Sequence, residues 1–341
     1  MAPMNGVADL TGHAEEIVRV ASRAPSHHNA QPWLFRVGPA EVEVCADLGR
    51  RVPVADPDDR QLFIGVGAAV FGVRLALGHL GFRTVVGLVH DPARPELAAV
   101  VKAVGRREVD PADERLYAEV DRRRTVRMSF TDEPLPPPVR LMLAEQTRLE
   151  GAWLRWVLRE VPLQSLAALV TAAERAEQSS SDFRVELDRW VGRGATAEGA
   201  GIPLVNVGSA LATGPLGEFP LRDFDGDRGA LTEPITPAEE HPGIAVLYTP
   251  DDRSSDWLRA GQALYRMLLS ASAAGLAASF LNQPLEIPEL RTQIRDEWDA
   301  DGYPQVILRL GRPAEPLPPP TPRRPVRDVL LPPSPVPDGA T

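Results

Sequence analysis

Cysteine is nearly absent from this 341-residue chain. Cys45 stands alone, so no intramolecular disulfide can form and no zinc ligand set can be assembled around it. Lysine is as scarce: among 37 basic residues only Lys102 is a lysine, and the rest are arginine. No Gly-x-x-x-x-Gly-Lys loop exists, which excludes a P-loop nucleotide hydrolase. A Schiff-base enzyme would have to use Lys102, in an unpromising Val-Lys-Ala-Val setting. Positive net charge is missing too; the balance of −10 argues against a general nucleic-acid binder, which needs a basic face for phosphate. Arg74 and His79 interrupt the best apolar stretch, residues 63 to 82, so no membrane span is expected. The first ten residues, Met-Ala-Pro-Met-Asn-Gly-Val-Ala-Asp-Leu, lack the basic start and apolar stretch of a secretory signal. A soluble cytoplasmic protein is the expectation.

What is present is a core-forming composition, 43% hydrophobic, over a length that suits two ordinary domains or one larger one. Residues 60 to 82 and 257 to 276 carry apolar residues at three and four spacings and predict two long helices. They also echo each other. A shift of 194 places Gly67 on Gly261, Ala69 on Ala263, Phe71 on Tyr265, Leu75 on Leu269 and Gly81 on Gly275. A second echo, shifted by 120, sets Trp33-Leu34-Phe35-Arg36-Val37 on Trp153-Leu154-Arg155-Trp156-Val157. The echoes keep the same order, which favours an internal duplication: residues 1–116 and 117–312, with an insertion at 192–243 that accounts for the larger second shift. That insertion holds 10 Gly and 6 Pro and reads as a lid or mobile loop. Residues 34 to 44 and 303 to 310 alternate or run apolar as strands do, giving an α+β class. The 11 prolines of residues 313–341 predict an extended arm without a folded element.

Two short stretches carry chemistry. Residues 24 to 33 read Ala-Pro-Ser-His-His-Asn-Ala-Gln-Pro-Trp, and residues 122 to 127 read Arg-Arg-Arg-Thr-Val-Arg. In the first, Pro fixes the chain while Ser and Asn offer short, rigid hydrogen-bonding groups. In the second, an extended backbone would put Arg123, Thr125 and Arg127 on one face. Together they resemble the two halves of the flavin site in the nitroreductase family, Pro-Ser-x-x-Asn-x-Gln-Pro-Trp and Arg-Arg-Ser-x-Arg. The resemblance spans roughly residues 15 to 330, and the fused layout with its insertion and Arg-Arg-Pro tail is similar to the Acg branch. It implies FMN as cofactor. Arg123, with Arg124 beside it, would meet the phosphate or ribityl chain, Thr125 would take the usual serine's place, and Arg127 would lie beside the pyrimidine edge. Pro25, Ser26, His27 and Asn29 would frame the ring from the other half. Ser279, Phe280, Asn282 and Gln283, after Gly275-Leu276, would present groups toward flavin N5, and Arg323-Arg324 would reach the phosphate.

The same resemblance implies a nitroreductase-like fold of two repeats imitating the family homodimer, and hydride transfer from NADH or NADPH to a small aromatic acceptor, nitroaromatic or quinone. A flavin-storing protein with a covered ring and little turnover is the alternative. A second flavin would need an arginine arm before residue 15 and a Pro-Ser-x-x-Asn turn near residue 150. The first basic residue is Arg19, and Arg-Leu-Glu-Gly-Ala precedes Trp153, so one FMN per monomeric chain is expected.

Other features read plainly. His27 and His28 find no ligand partner at useful spacing and are expected to pack beside the ring. Gly65-Val-Gly67 lacks the third glycine of a dinucleotide turn and lies inside a helical pattern, so it predicts close helix packing. Asp223, Asp225 and Asp227 imitate a calcium loop, but Arg228 and Pro234 occupy its glycine and glutamate positions. Asp56, Asp58 and Asp59 suit the N-terminus of the first long helix.

Overall fold

The computed structural model describes residues 9–88, 93–192, 198–207, 224, 243–298 and 301–333. Most of the insertion, including the acidic triplet at 223–227, lies outside the described residues.

Two four-stranded antiparallel sheets organise the chain. The first joins β1 (Trp33–Val37), β2 (Glu41–Ala46), β3 (Phe82–Leu88) and β4 (Leu97–Arg106) in the order β1-β2-β4-β3. The second joins β5 (Trp153–Val157), β6 (Gly243–Thr249), β7 (Ala277–Phe280) and β8 (Tyr303–Gly311) in the equivalent order β5-β6-β8-β7. In each half a helix precedes the first strand, α1 (Ala14–Ala21) or α4 (Pro137–Arg148). A 20-residue helix then follows the second strand, α2 (Arg60–His79) or α7 (Ser254–Ala273). The chain is therefore an α+β protein of two repeats. Between these lie α3 (Pro111–Tyr117), α5 (Glu160–Ser179) and α6 (Ser181–Asp188); α8 (Gln283–Glu286), α9 (Pro288–Trp298) and α10 (Val326–Val329) complete the helices named here.

The two long helices meet along a pseudo-twofold axis. Phe63 faces Trp257 with ring centroids 6.3 Å apart, and Phe71 faces Tyr265 at 5.9 Å. Midway between these pairs, a Cβ on Gly67 would collide with the backbone of Leu258, and one on Gly261 with that of Ile64. Each pair is separated by 194 positions, as is Leu258 from Ile64. Equivalent residues meeting at every fourth position means parallel helices wrapped about the axis, with the self-complementary contacts of a symmetric dimer interface. The close packing expected of Gly67 is thus observed. By length and composition α2 could cross a membrane, with a mean hydropathy of 1.7, yet 83% of that window is buried inside the protein. Arg74 does not break its helix because its guanidinium reaches Glu150 and Gln262 at the rim.

Three local expectations need correction. The alternation of residues 34 to 44 is two strands, folded back where Gly38 donates to the Glu41 carbonyl at 2.8 Å. Of the three aspartates before α2, Asp56 accepts from the Gln61 and Leu62 amides at 3.0 and 2.9 Å, whereas Asp59 pairs with Arg51 instead. The proline-rich tail is not wholly extended. Its Val326 and Val329 form α10 against the first core, and the Leu331 amide donates to the Phe35 carbonyl at 2.7 Å. Apolar residues spaced three apart outweigh the flanking prolines there.

Candidate functional site

A cleft enclosing about 1320 Å³, its open mouth included, lies between the repeats. Its floor is built from β7, β8 and the start of α2, with Leu264 of α7; its rim comes from the two motif segments and the tail. Pro25, Ser26, His27, Asn29, Arg123, Arg124, Thr125, Arg127, Ser279, Phe280, Asn282, Gln283 and Arg323 all line it.

The first rim segment is a strained turn. His28, Asn29 and Gln31 have φ of 46°, 57° and 55°, in the left-handed region that side chains usually avoid. What holds it there is a set of hydrogen bonds. The Gln31 amide donates to Ser26 Oγ at 3.0 Å, and Gln31 Nε2 donates to the Gly199 carbonyl at 2.8 Å. Trp33 then anchors the turn in the core, fully buried at the start of β1. Gly65 of α2 lets the turn approach: a Cβ there would stand 3.3 Å from that of Ser26. Asn29, which lines the cleft, is also engaged by distant backbone. Its Nδ2 donates to the Gly201 and Pro322 carbonyls at 2.9 and 3.0 Å, and its Oδ1 accepts from Arg323 at 3.0 Å. The side chain that looked like a ligand therefore ties turn, insertion and tail together.

The second rim segment, residues 123–127, is extended and pairs with β7: Thr125 bridges Ala278, and the Val126 amide donates to its carbonyl at 2.9 Å. Pairing fixes the alternation, so Arg123, Thr125 and Arg127 all reach the cleft. Arg123 is 9% exposed and lies 5.9 Å from the Tyr265 ring centroid. Among the described residues its Nε has no hydrogen-bond partner, and its guanidinium donates a long 3.5 Å bond to the Arg23 carbonyl. Arg323 enters from the tail and donates to the Ser22 carbonyl at 2.8 Å and to Thr321 Oγ1 at 2.6 Å. Among the described residues neither Arg123 nor Arg323 has an acidic partner. Burial, and after it the charges of Arg123 and Arg23, push the Arg323 guanidinium down to about 9. Burial, with neighbouring Arg124, pulls Arg123 below the ordinary range. Asp121 stands beside this cluster and already pairs with Arg19 and with Arg23 at 3.0 and 2.8 Å.

Arg324 is the one expected residue that does not line the cleft. It points away, pairing with Asp47 at 3.0 Å while its amide donates to Gln31 Oε1 at 2.9 Å. Its neighbour turns inward and it turns outward because adjacent residues of an extended tail face opposite ways. Its work is to lock the tail.

The described parts of the insertion close over the rim. Arg127 donates to the Asn206 carbonyl at 2.9 Å and lies 4.9 Å from the Phe224 ring centroid. The His28 ring meets Phe224 edge-on at 6.2 Å. Asn282 Nδ2 donates to Gln61 Oε1 at 3.2 Å, leaving the buried Gln61 Nε2 without a hydrogen-bond partner. Asn206 Oδ1 is likewise unsatisfied. Arg23, Gln61, Asn206, Phe224 and Glu286 are wall residues that sequence reasoning missed. Arg23 had a signal, standing two residues before Pro25. Gln61 and Glu286 had none, since each reaches the cleft only through the packing of its helix.

No family model matches the chain. A Mycobacterium tuberculosis protein bearing the name of an NAD(P)H nitroreductase is 34% identical over 319 residues, covering 92% of this chain and 90% of its own. The protein named Acg from the same species is 29% identical over 322 residues, covering 92% and 93%. Among solved structures, a nitroreductase with bound FMN from Bacteroides fragilis aligns with a TM-score of 0.35 at 15% identity, over 68% of this chain and 97% of its own. The FMN-dependent nitroreductase NfnB from Mycobacterium smegmatis, in complex with NADPH, aligns at 0.34 and 15% over 65% and 94%. On the strength of the sequence relatives, this chain belongs to the nitroreductase family, in its Acg-like branch.

Proposed function

We propose that the chain is an FMN-dependent oxidoreductase that takes hydride from NADH or NADPH and passes it to a small aromatic acceptor of the nitroaromatic or quinone type. One observation carries the reading: Arg123 is buried, without an acid partner, among Arg23, Arg124 and Arg323. A buried charge needs a counter-charge, and a phosphate dianion matches several guanidinium forks better than any neutral ligand does. The unsatisfied Gln61 Nε2 and Asn206 Oδ1 supply a donor and an acceptor of the kind a flavin's pyrimidine edge requires. The residues therefore fit FMN. Arg123 and Arg323 would hold the phosphate, Thr125 and Ser26 would meet the ribityl chain or ring, and Gln61 and Arg127 would face the pyrimidine side. Bound there, the flavin supplies the hydride chemistry; the chain supplies orientation, charge and exclusion of water. All these residues come from one chain, with the arm from one repeat and the turn from the other. One FMN in a monomer that imitates a dimer is part of the proposal. Anaerobic addition of NADPH or NADH to yellow protein should bleach its visible absorbance, and a spectrum unmoved by both would remove the hydride-transfer reading.

A second reading, storage of FMN with little turnover, draws on Phe224 and Asn206 lying over Arg127. An acceptor ring would need the space that Phe224 fills. Phe224→Ala should then raise the rate of flavin oxidation by a quinone at least tenfold in stopped-flow, with FMN affinity changed less than threefold. Equal rates in variant and parent would dismiss the covering role.

A further inference from the structure

Glu286 ends α8 in the wall of the cleft, with a side chain 3% exposed, and its Oε1 stands 3.6 Å from Nε2 of His27, itself 10% exposed. The same glutamate also lines a second cavity of about 1150 Å³, its open mouth included, at the N-terminal ends of the two central helices. Its other walls include Asp56, Asp58, Arg60, Asp252 and Trp257. Glu286 is thus a partition between the cleft and a polar cavity on its far side. His27, expected from sequence only to pack beside the ring, faces a carboxylate that the sequence places 259 positions away.

We propose that His27 and Glu286 form a proton relay that delivers the proton needed by the acceptor, drawing it from the second cavity. This rests on the oxidoreductase reading above. The balance is simple. Reduction of a quinone by NAD(P)H consumes one proton: NAD(P)H, H⁺ and quinone give NAD(P)⁺ and hydroquinone. The hydride carries both electrons to the acceptor, and the acceptor oxygen must then bind a proton. With one proton shared between its Nε2 and Glu286, His27 gives its Nδ1 proton to the acceptor oxygen and keeps the shared one on Nε2; Glu286 then takes a proton from the far cavity, and tautomer exchange in His27 restores the pair. Beyond His28, whose ring lies against that of His27, and Asp121, held by Arg19 and Arg23, the cleft's other charged groups and amides are poorly suited to the task. Its arginines hold their protons, and its amides have none to give.

Charges around the pair are consistent with a group that changes protonation. Asp56 and Arg60 face Glu286 from the start of α2, with opposite effects on it; Arg291 and Asp252 stand behind Arg60. From α5, Glu174 accepts from Gln283 at 3.2 Å in the same short helix, and the His28 ring lies 3.9 Å from that of His27. A carboxylate beside an imidazole favours its charged form, and the neighbouring acids favour a proton staying near the pair.

The test uses FMN-loaded full-length protein, Glu286→Gln and His27→Gln. Without turnover, nitrogen-detected NMR of the six histidines should show the His27 imidazole titrating at least one pH unit lower in Glu286→Gln than in the parent. Protein reduced by dithionite and mixed with 1,4-benzoquinone should be reoxidised 10- to 100-fold more slowly in either variant, within the range for one lost general acid. The parent's solvent deuterium effect on that step should disappear in either variant. An unshifted His27 titration overturns the relay, as does reoxidation of the parent that is independent of pH and of deuterium, whatever the variants do. Because dithionite reduces the protein, a failure to accept hydride from NAD(P)H is read separately and bears on the function proposed above, not on the relay.

Discussion

Arg123→Met should weaken FMN binding by roughly ten- to 150-fold, the equivalent of about 1.5–3 kcal/mol for a lost charge-assisted phosphate contact, and should stabilise the empty protein. The two effects have one cause. Arg123 is buried with its Nε unpartnered and no carboxylate beside it, so the empty fold carries an uncompensated charge that a bound dianion would relieve. Methionine fills similar space without that cost, and about 1–3 kcal/mol of added apo stability is the expected scale. The pH dependence carries a definite sign. Arg323 sits at about 9 in the folded state, well below the ordinary arginine range, with burial and then Arg123 as the causes. A cation depressed on folding penalises the fold fully below its folded value, and the penalty fades as pH rises above about 9. Apo stability should therefore climb between pH 9 and 11, and the climb should be shallower in Arg123→Met. Calorimetry of flavin-stripped protein and fluorescence titration with FMN measure both quantities. A variant that keeps its FMN and melts lower would show that the arm serves the fold and not a phosphate.

How much of this could be read beforehand follows from how local each feature is. The turn and the arm were legible because each packs its functional residues into a few consecutive positions, and an extended arm fixes its own alternation. The long helices and their shared shift were legible because an axis of symmetry repeats small and aromatic residues at fixed intervals: Gly67 with Gly261, Phe71 with Tyr265. Asn29 shows the limit. It lines the cleft, but its amide donates to carbonyls of the insertion and the tail, partners 172 and 293 positions away. Nothing local distinguishes an amide that holds a ligand from one that holds a distant strand. Arg323 lines the cleft while Arg324 pairs with Asp47 outside it, a division that the doubled residue alone does not encode, since Arg123 and Arg124 both line the cleft. Gln61 and Glu286 were invisible because their approach to the cleft depends on helix orientation, which no spacing encodes. The turn after Val37 did carry a local signal, Gly38-Pro39 between two alternating runs.

The duplication itself makes the last prediction. Gly261→Ala should destabilise the protein by about 3 kcal/mol or more, and Gly67→Ala should cost about the same. At each position the added methyl meets backbone of the facing helix, Ile64 or Leu258, which has no rotamer to change. Ordinary overpacking by a methyl costs about 1–3 kcal/mol because side chains can yield; here the two helices must separate along their length, loosening Phe63 from Trp257 and Phe71 from Tyr265. The gain in helix propensity from Gly to Ala, about 1 kcal/mol, works in the opposite direction and is too small to decide the outcome. Residues on one axis also share one remedy. Once the helices have parted to admit a methyl at 261, a second at 67 meets less resistance, so the double variant should lose clearly less than the sum of the singles. Denaturant unfolding of the three variants would measure this. Additive losses, or a tolerated Gly261→Ala beside a ruinous Gly67→Ala, would mean that the two repeats do not share a self-complementary seam.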